Sequence, residues 1–415
     1  MQQPLAVFLD HFSGLEDSRE AGKVLHPVPE ILLVTLCGVI AGAEGLEDME
    51  EYGESKLDRL RELLPFANGI PSDDTLQRFF RAVDPRAFAE VFVAFARDVF
   101  PEAAQRLMAI DGKTLRRSHD GTAKALHLVS AFATEARLVL AQVATAEKSN
   151  EITAIPELLR LLDLRGATVS IDAMGCQREI AAQIVEGGGY YLLGLKGNQG
   201  LLHDDVRLFF QNPPEDTNFA THEDADKGQG RLEIRRCEVT EDTGWLQQIH
   251  GWPHLKSIAR ITATRLIGDK TSTETRFYIT DDSPDPTRIL ADTRSHWAIE
   301  NTLHWTLDMS FGEDASRIRK ENAPLAIATI RHVALNLLQA AQQPRESMKR
   351  LRKKAGWDNP TLKRILIIFH EVALSSSLIR SASNPGRNTT WRRIALYGTG
   401  FGTSQVGTKV GFAPP

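Results

Sequence analysis

Three carboxylates stand at positions in this chain where carboxylates can do metal chemistry. Asp111 closes the short apolar run Leu107-Met108-Ala109-Ile110, and Asp172 closes Ala167-Thr168-Val169-Ser170-Ile171. Both runs read as strands, and in open α/β sheets functional groups gather at strand ends. Each aspartate is followed by a small or polar segment, Gly112-Lys113-Thr114 and Ala173-Met174-Gly175. A third acid, Glu300, lies in a helical stretch with Trp297, Asn301 and His304. Three carboxylates brought together repel one another and have raised pKa values unless a cation compensates. Hard oxygen ligands with open positions suit Mg²⁺. Two such ions can activate water and stabilise the leaving oxygen of an in-line phosphoryl displacement. Taken singly, either aspartate has a plainer role capping a turn or helix, and the sequence by itself does not bring the three together.

Other chemistries fit less well. Gly112-Lys113-Thr114 resembles the end of a P-loop, but the earlier glycine would have to stand at Leu107, so ATP hydrolysis is excluded. His296, Glu300 and His304 are spaced i, i+4, i+8 and could face one metal, yet HExxH is absent and a zinc hydrolase is not indicated. Cys37, Cys176 and Cys237 lie far apart with no CxxC. That argues against a disulfide framework or structural zinc module and is consistent with a reducing compartment.

The elements that must position these groups follow from hydrophobic periodicity. Residues 1–105 read as helical throughout. Val24 to Ala43 is one apolar helix, and Met49, Tyr52, Leu57, Leu60 and Leu64 mark a second. Pro71-Ser72-Asp73-Asp74 starts a third, with Leu76, Phe79, Phe80 and Val83 on one face; Asp84-Pro85 ends it and begins another. From about residue 106 strands alternate with helices, which indicates an α/β sheet with helices packed on it. Residues 200–290 read as mostly β, and Asp292 to Ala341 as helical again, with Trp297, Glu300, Leu303, His304 and Leu307 on one stripe. The tail beyond about Ser375 is rich in Gly, Ser and Thr and is expected to be poorly ordered.

At 415 residues the chain has room for two or three domains of about 100–200 residues. Its 42% hydrophobic and 25% charged residues match an ordinary soluble globular protein and exclude wholesale disorder or a collagen-like repeat. The start lacks a secretory signal, and the longest apolar run, Ile31 to Ala43, is too short to span a bilayer. A cytoplasmic protein with no membrane partner is expected. The net charge of −5 hides an asymmetry: acids outnumber bases about two to one in residues 1–105, whereas Arg345 to Lys354 holds six basic residues and one acid.

The segments GIPSDDTLQRFF, IDGKTLRRSHD, LHLVSAF, KSNEITAIPELLRLLDLRGATVSIDAMGCQ, YYLLGLKGNQ and HWAIENTLHWTLDMSFGEDASRIRKENAPLAIATIRHVALNLL, in this order over about residues 10–360, resemble bacterial insertion-sequence transposases of the DDE class. The group is the one called ISAs-one, which includes the H-repeat-associated proteins. The resemblance implies a ribonuclease-H-like core interrupted by a β insertion before the last acidic helix, with Asp111, Asp172 and Glu300 as the DDE triad holding two Mg²⁺ ions, Mn²⁺ being expected to substitute. It implies DNA as partner, both the terminal inverted repeats and the target, and a homodimer that is nucleoid-associated when DNA-bound. The expected organisation is a helical N-terminal domain over 1–105 for DNA-end binding or dimerisation, a catalytic core over 106–200 and 291–345, and a β-rich insertion over 201–290. A basic helical segment over 346–374 and a tail over 375–415 follow.

The wider superfamily carries Tyr, Arg and Lys seven before, four before and seven after the glutamate. Here Thr293, His296 and Leu307 stand there, so Arg294, His296, Asn301 and His304 are candidate substitutes in DNA contact. Lys113, Arg116 and Arg117 after the first aspartate, Lys196, Asn198 and Gln199 at a strand end, and Arg317, Arg319 and Lys320 after the acidic helix are further candidate contacts to the DNA backbone. Trp245, Trp252, Trp297 and Trp305 could stack on a base, core packing being the commoner fate of each. Two rivals to a working transposase remain: a DNA-binding protein that has lost catalysis, and a metal-dependent nuclease without sequence preference.

Overall fold

The computed structural model describes residues 3–103, 106–119, 125–145, 151–228 and 230–367. The tail over 375–415 lies outside them. Five helices come first: α1 Pro4–Phe12, α2 Val28–Ala41, α3 Leu46–Leu60, α4 Asp73–Ala82 and α5 Pro85–Val99. Their boundaries have local causes. Ser72 accepts the Thr75 N–H at the start of α4, and Asp84 accepts the Ala87 N–H at 2.7 Å, with Pro85 in the first turn of α5 where its missing N–H costs nothing. Among the described residues no single helix is long and apolar enough to cross a membrane; α2 is instead a core helix, with Ile31 to Leu33 fully enclosed.

The middle of the chain alternates: β1 Leu107–Thr114, β2 His127–Ala133, β3 Leu138–Ala144, α6 Glu151–Arg160, β4 Thr168–Ile171, α7 Arg178–Glu186, β5 Tyr190–Leu195 and α8 Leu201–Gln211. Then follow β6 Ala220–Gly228, β7 Arg231–Thr240, α9 Gly244–His250, β8 Ser257–Ile267 and β9 Lys270–Thr280. The nine strands form one sheet in the order β3-β2-β1-β4-β5-β9-β8-β7-β6. β1, β4 and β5 run parallel, and the remaining neighbours pair antiparallel. The fold is thus mixed α/β with a helical N-terminal region, as expected.

Two features of residues 201–280 differ from the expectation. Residues 201–211 form a helix, because Leu202, Val206, Phe209 and Phe210 recur at helical spacing and bury that stripe. The β-rich stretch also does not fold apart from the core: β9 pairs with β5 from Leu192↔Thr280 to Leu195↔Phe277, so the central sheet simply continues through it.

Helices cover both faces. On one, α6, α7 and α8 pack on Met108, Ile110, Val169, Ile171, Leu193 and Leu195. The alternation of strand side chains therefore sends Ala109, Asp111 and Lys113 of β1 to the opposite face. There lie α10 Pro286–His296, a π-helical turn Ile299–His304, α11 Trp305–Phe311 and α12 Ala323–Ala341. α10 seats Ile289 and Leu290 on Leu192, Val239, Ala259 and Ile261. α12 shares one large core with α1–α5, with Phe132 and Val139 of the sheet, and with the closing helices α13 Met348–Trp357 and α14 Asn359–Ile367. The basic run in α13 is not wholly a solvated face. Arg352 is buried, donates to the Val39 and Ser310 carbonyls, and lies 4.0 Å over the Phe311 ring.

β3 is an edge strand, and α12 closes its edge. The Val139 N–H donates to Asn336 Oδ1 at 2.9 Å, and the Val139 carbonyl accepts from Asn336 Nδ2 at 2.8 Å, all fully buried. Asn336→Leu strands both backbone groups and is expected to destabilise the fold by about 2–3 kcal/mol, read as a lower urea midpoint with an unchanged slope. A midpoint equal to the parent's would show that the amide is not what satisfies this edge.

Candidate active site

Parallel pairing brings the first two carboxylates together. Ile110 pairs with Ile171 in the β1–β4 ladder, so the next residues, Asp111 and Asp172, stand side by side, Asp111 still in β1 opposite Ser130 of β2 and Asp172 just past the end of β4. Asp172 turns the chain at once: its Oδ1 accepts the Met174 N–H at 2.9 Å and caps the short turn Ala173–Gly175. Glu300 approaches from the helical layer. Ile299 and Leu303 are buried, and the π-helical turn that carries them leaves Glu300 exposed. Such turns widen a helix locally and recur at functional sites. Asp111, Asp172 and Glu300 line one cleft of about 370 Å³, together with Lys196, His296 and Trp297.

The cleft crowds carboxylates together. Asp111, whose side chain is 17% exposed, has its pKa pushed up to about 7. Burial is the largest cause; the Gly112 backbone N–H pulls the value back, and the charges of Glu151, Glu300 and Asp172 push it further up. The neighbouring imidazoles do not compensate. His304 Nδ1 lies 3.7 Å from Asp111, but burial, with the Lys113 charge adding, takes His304 down to about 4. His296, bonded to Ser170 Oγ at 3.0 Å, is likewise lowered to about 4 by burial, against the pull of Asp172. Both rings are therefore neutral at pH 7.

Glu151 is the acid that sequence reasoning missed. It opens α6, and its Oε1 lies 2.9 Å from His127 Nε2, whose Nδ1 is 2.8 Å from Thr114 Oγ1. Both side chains come close over Gly112: a Cβ there would lie 2.2 Å from Glu151 Oε1 and 2.4 Å from His127 Nε2, so one of the two side-chain ends would have to shift. The only signal in the sequence was its place in KSNEITAI. An acid in a first helical turn is so often explained by the helix dipole that the position alone does not single it out.

The expected DNA contacts fall into three groups. Lys196, His296 and, against Asp111, His304 belong to the cleft or its wall. Several others brace the structure. Lys113 Nζ is enclosed by Asp308 at 2.5 Å, Glu313 at 2.8 Å and Asp314 at 3.6 Å, so its ammonium is already matched by carboxylates rather than open to phosphate. Arg116, largely exposed, reaches Asp314 at 3.3 Å. The Asn198 amide donates to the Ala173 carbonyl at 2.6 Å and Gln199 to that of Cys176, holding the loop after Asp172. Arg319 Nε donates to the Arg117 carbonyl at 2.8 Å. In the third group, Arg317 and Lys320 are exposed on the segment after α11, which ends at Gly312 with φ 64°, a conformation that favours glycine. Arg294 is ion-paired with Asp224 and Asp226 on β6, and Asn301 bonds back to the Trp297 carbonyl. Of the tryptophans, Trp252 is buried, Trp245 stacks on Phe209, Trp305 is exposed, and Trp297 lines the cleft with the Arg276 guanidinium 4.8 Å from its ring centroid.

The donor set fits a hard divalent cation. It consists of carboxylate oxygens, one of them buried and held near neutrality by its neighbours, which a cation would relieve. Among the described residues no group of three or more His, Cys, Asp or Glu side chains is placed to hold a metal ion. An open carboxylate set suits Mg²⁺, which keeps several waters and is bound through one or two carboxylates plus substrate phosphate.

Comparison with known proteins places this arrangement. Residues 102–337 match the transposase DDE domain family, and residues 9–96 match the DDE_Tnp_1-associated family. The H repeat-associated putative transposase YhhI of Escherichia coli (strain K12) is 39% identical over 375 residues, 87% of this chain and 98% of that protein. The putative transposase YncI of Escherichia coli O157:H7 is 39% identical over 384 residues, 90% of this chain and 97% of its own length. A protein encoded in the dhlA 3′ region of Xanthobacter autotrophicus is 45% identical over 283 residues, 66% of this chain and 94% of its own length. With Asp111 on β1 and Asp172 at the end of β4 sharing a cleft with the acidic helical turn of Glu300, and with these relatives along nearly its whole described length, the chain belongs to the DDE-type insertion-sequence transposases.

Proposed function

We propose that this protein cuts the ends of its own insertion sequence and joins the freed 3′-hydroxyls to target DNA. The observation that carries the reading is the single cleft lined by Asp111, Asp172 and Glu300, with Asp111 pushed toward neutrality by burial and by the charges of Glu151, Glu300 and Asp172. Divalent ions are the general cofactor of this family, and we assign Asp111, Asp172 and Glu300 the role of holding two Mg²⁺. Bound there, the ions would supply Lewis acidity toward the phosphate and lower the pKa of water.

The chain's own residues do the rest. Water forms a bond to phosphorus at the element boundary, and the bond to the 3′-oxygen breaks, leaving a 3′-hydroxyl on the element end and a 5′-phosphate on the flank. In the second step that hydroxyl displaces a 3′-oxygen of the target at the same carboxylates. Lys196 offers an ammonium to the phosphodiester from the cleft wall, of which Trp297 is also part. His296 and His304, neutral and partly buried, hold the walls without adding charge. The strands β1, β4 and β5, parallel and flanked by the β1–β2–β3 antiparallel meander, support a ribonuclease-H-like core extended through β9. We assign residues 106–200 and 291–345 to this core, 201–290 to its β-rich extension, 1–105 to end binding or dimerisation, and 346–374 to a basic closing segment; synapsis of two ends calls for a homodimer acting on DNA in the cytoplasm.

The test uses a labelled duplex spanning the boundary of the element that encodes this chain, incubated with the protein in Mg²⁺ and then in EDTA. Site-specific nicking lost in EDTA, followed by strand-transfer products, is the expected result. Binding without cleavage would make the protein a DNA-binding relic, and cleavage without sequence preference or strand transfer would make it a nuclease; either overturns the proposal.

A further inference from the structure

A second depression, of about 390 Å³, adjoins the cleft and shares Glu300, Trp297, Thr293, Arg276, Glu274 and Tyr278 with it. Its floor is the face of β7, β8 and β9 over which α10 and the π-helical turn lie, with Ile261 and Ala263 of β8 as its apolar part. Arginines surround that floor. Arg231 and Arg235 alternate along β7, Arg265 comes from β8, Arg276 from β9, and Arg294 from α10.

These guanidiniums are held by carboxylates in an uneven way. Glu233, 5% exposed, lies 2.9 Å from Arg235 and 3.1 Å from Arg265, and Glu274 lies 2.9 Å from Arg276; these acids belong to the floor. The other two acids come from β6, which is an edge strand, polar along its length and exposed at most positions. Asp224 and Asp226 each take one terminal nitrogen of Arg294 at 2.6 Å. Toward Arg235 they stand at only 3.5 and 3.8 Å, and the Arg235 Nη1 and Asp224 Oδ1 atoms are buried with no hydrogen-bond partner. With the β6 aspartates in place, five arginines face five carboxylates, Glu300 included; with them withdrawn, five face three.

We propose that this trough is a binding track for the DNA strand that enters the cleft, and that Asp224 and Asp226 occupy its phosphate positions in the free protein. The assignment rests on the reading of the protein as a DNA transposase and names the surface that reading requires. Guanidinium pairs with carboxylate and with phosphate through the same fork of donors. Alternate residues of a strand sit about 6.8 Å apart, which is comparable with the separation of neighbouring phosphates along a nucleic-acid strand. Two aspartates at i and i+2 on β6 can thus present their charges as two adjacent phosphates would. A strand that displaces them gains Arg294 and the under-bonded Arg235 and is led toward Glu300, which belongs to both depressions. Because β6 has one strand neighbour, β7, withdrawing its aspartates from Arg294 breaks side-chain pairs without opening the interior of the sheet.

The test is equilibrium binding of fluorescent single-stranded and duplex DNA in EDTA, where cleavage does not intrude, over a series of salt concentrations. Asp224→Asn with Asp226→Asn should tighten binding by roughly tenfold, about 1.4 kcal/mol, since the arginines no longer have to be released from these acids. The salt slope should not change, since the same phosphates are neutralised. Arg294→Gln and Arg265→Gln, both at half-exposed positions, should weaken binding and each lower the slope of log K against log salt by about 0.7–0.9. Acid variants that bind no tighter than the parent overturn the mimicry, and arginine variants with the parent's affinity and slope overturn the track while leaving DNA as the partner. A parent protein that binds no DNA overturns the transposase reading, and the track with it.

Discussion

Asp172→Asn is expected to lower Mg²⁺-dependent DNA cleavage by about a thousandfold or more, a loss of at least about 4 kcal/mol of transition-state stabilisation. Asparagine is the informative replacement because it keeps the turn: its Oδ1 can still accept the Met174 N–H, the bond by which Asp172 caps Ala173–Gly175. What it removes is one negative charge from a cleft that also holds Asp111 and Glu300. The fold should therefore tolerate the change, and the lost activity should not be recovered by lowering the temperature. A second signature follows from Asp111. Its folded pKa of about 7 lies above the unfolded value of 3.8, so the metal-free fold is favoured most below the unfolded value and loses that contribution as the pH rises through about 7. Mg²⁺ or Mn²⁺ at pH 8 should relieve the penalty and raise the melting temperature of the parent, and should do so far less for the variant. A variant that retains more than a tenth of parental cleavage in the same assay would remove Asp172 from the proposed chemistry.

The strand end at Asp172 was legible because it closes a run of apolar residues, and apolar runs followed by polar breaks are what buried parallel strands look like; Asp111 closes a similar run but is not a strand end, because β1 continues to Thr114 by pairing with β2. The helical start at Ser72 and the junction at Asp84-Pro85 were legible for an equally local reason, the capping chemistry of those residues. What was not legible depends on partners distant in sequence. β6 (ATHEDADKG) has no apolar alternation because neither of its faces is buried, so it exists as a strand only through its ladder with β7. α8 has its stripe, but it sits among strands and was absorbed into their reading. The turn at Glu300 was read as plain helix, since nothing in the spacing of Leu303 and Leu307 distinguishes a π-helical turn from an α-helical one. Glu151 gains its significance only from the close approach of α6 to Gly112. Lys113 reads as a free cation two residues after an aspartate, and the carboxylates that enclose it come almost 200 residues later.

That enclosure makes Lys113→Met the substitution with the largest expected cost to stability, about 3–5 kcal/mol, the range for removing one partner of a buried ion pair. The Lys113 side chain is 11% exposed and that of Glu313 1%. Burial alone would lower the lysine pKa, but the Glu313 charge and the hydrogen bonds to Asp308 and Glu313 outweigh it, and the net shift is upward. Glu313 shows the complementary balance: burial raises its pKa, yet the charges of Lys113, Arg331 and His332 leave it lowered. The lysine's contribution is therefore present below its unfolded pKa and fades only as the pH rises through its raised folded value. Glu313 contributes above its unfolded pKa and fades as the pH falls through its lowered one. At pH 7 both contributions are in force. Methionine keeps the length of the stem and removes the charge, leaving Asp308, Glu313 and Asp314 to repel one another where β1 meets α11. Acid then becomes a remedy: protonating Glu313 relieves the unpaired charge, so the deficit of the variant in urea unfolding should shrink as the pH falls from 7 toward 5. Adding Glu313→Gln should restore part of the loss, because the two changes act on one pair and are not additive. Since Asp111 and Lys113 share a face of β1 and Asp308 follows Glu300 on the same helical layer, the variant should also loosen the spacing of the carboxylates, and residual cleavage should need a higher Mg²⁺ concentration. A deficit below about 1 kcal/mol that is independent of pH would show that water already screens the cluster and that the clamp between β1 and α11 lies elsewhere.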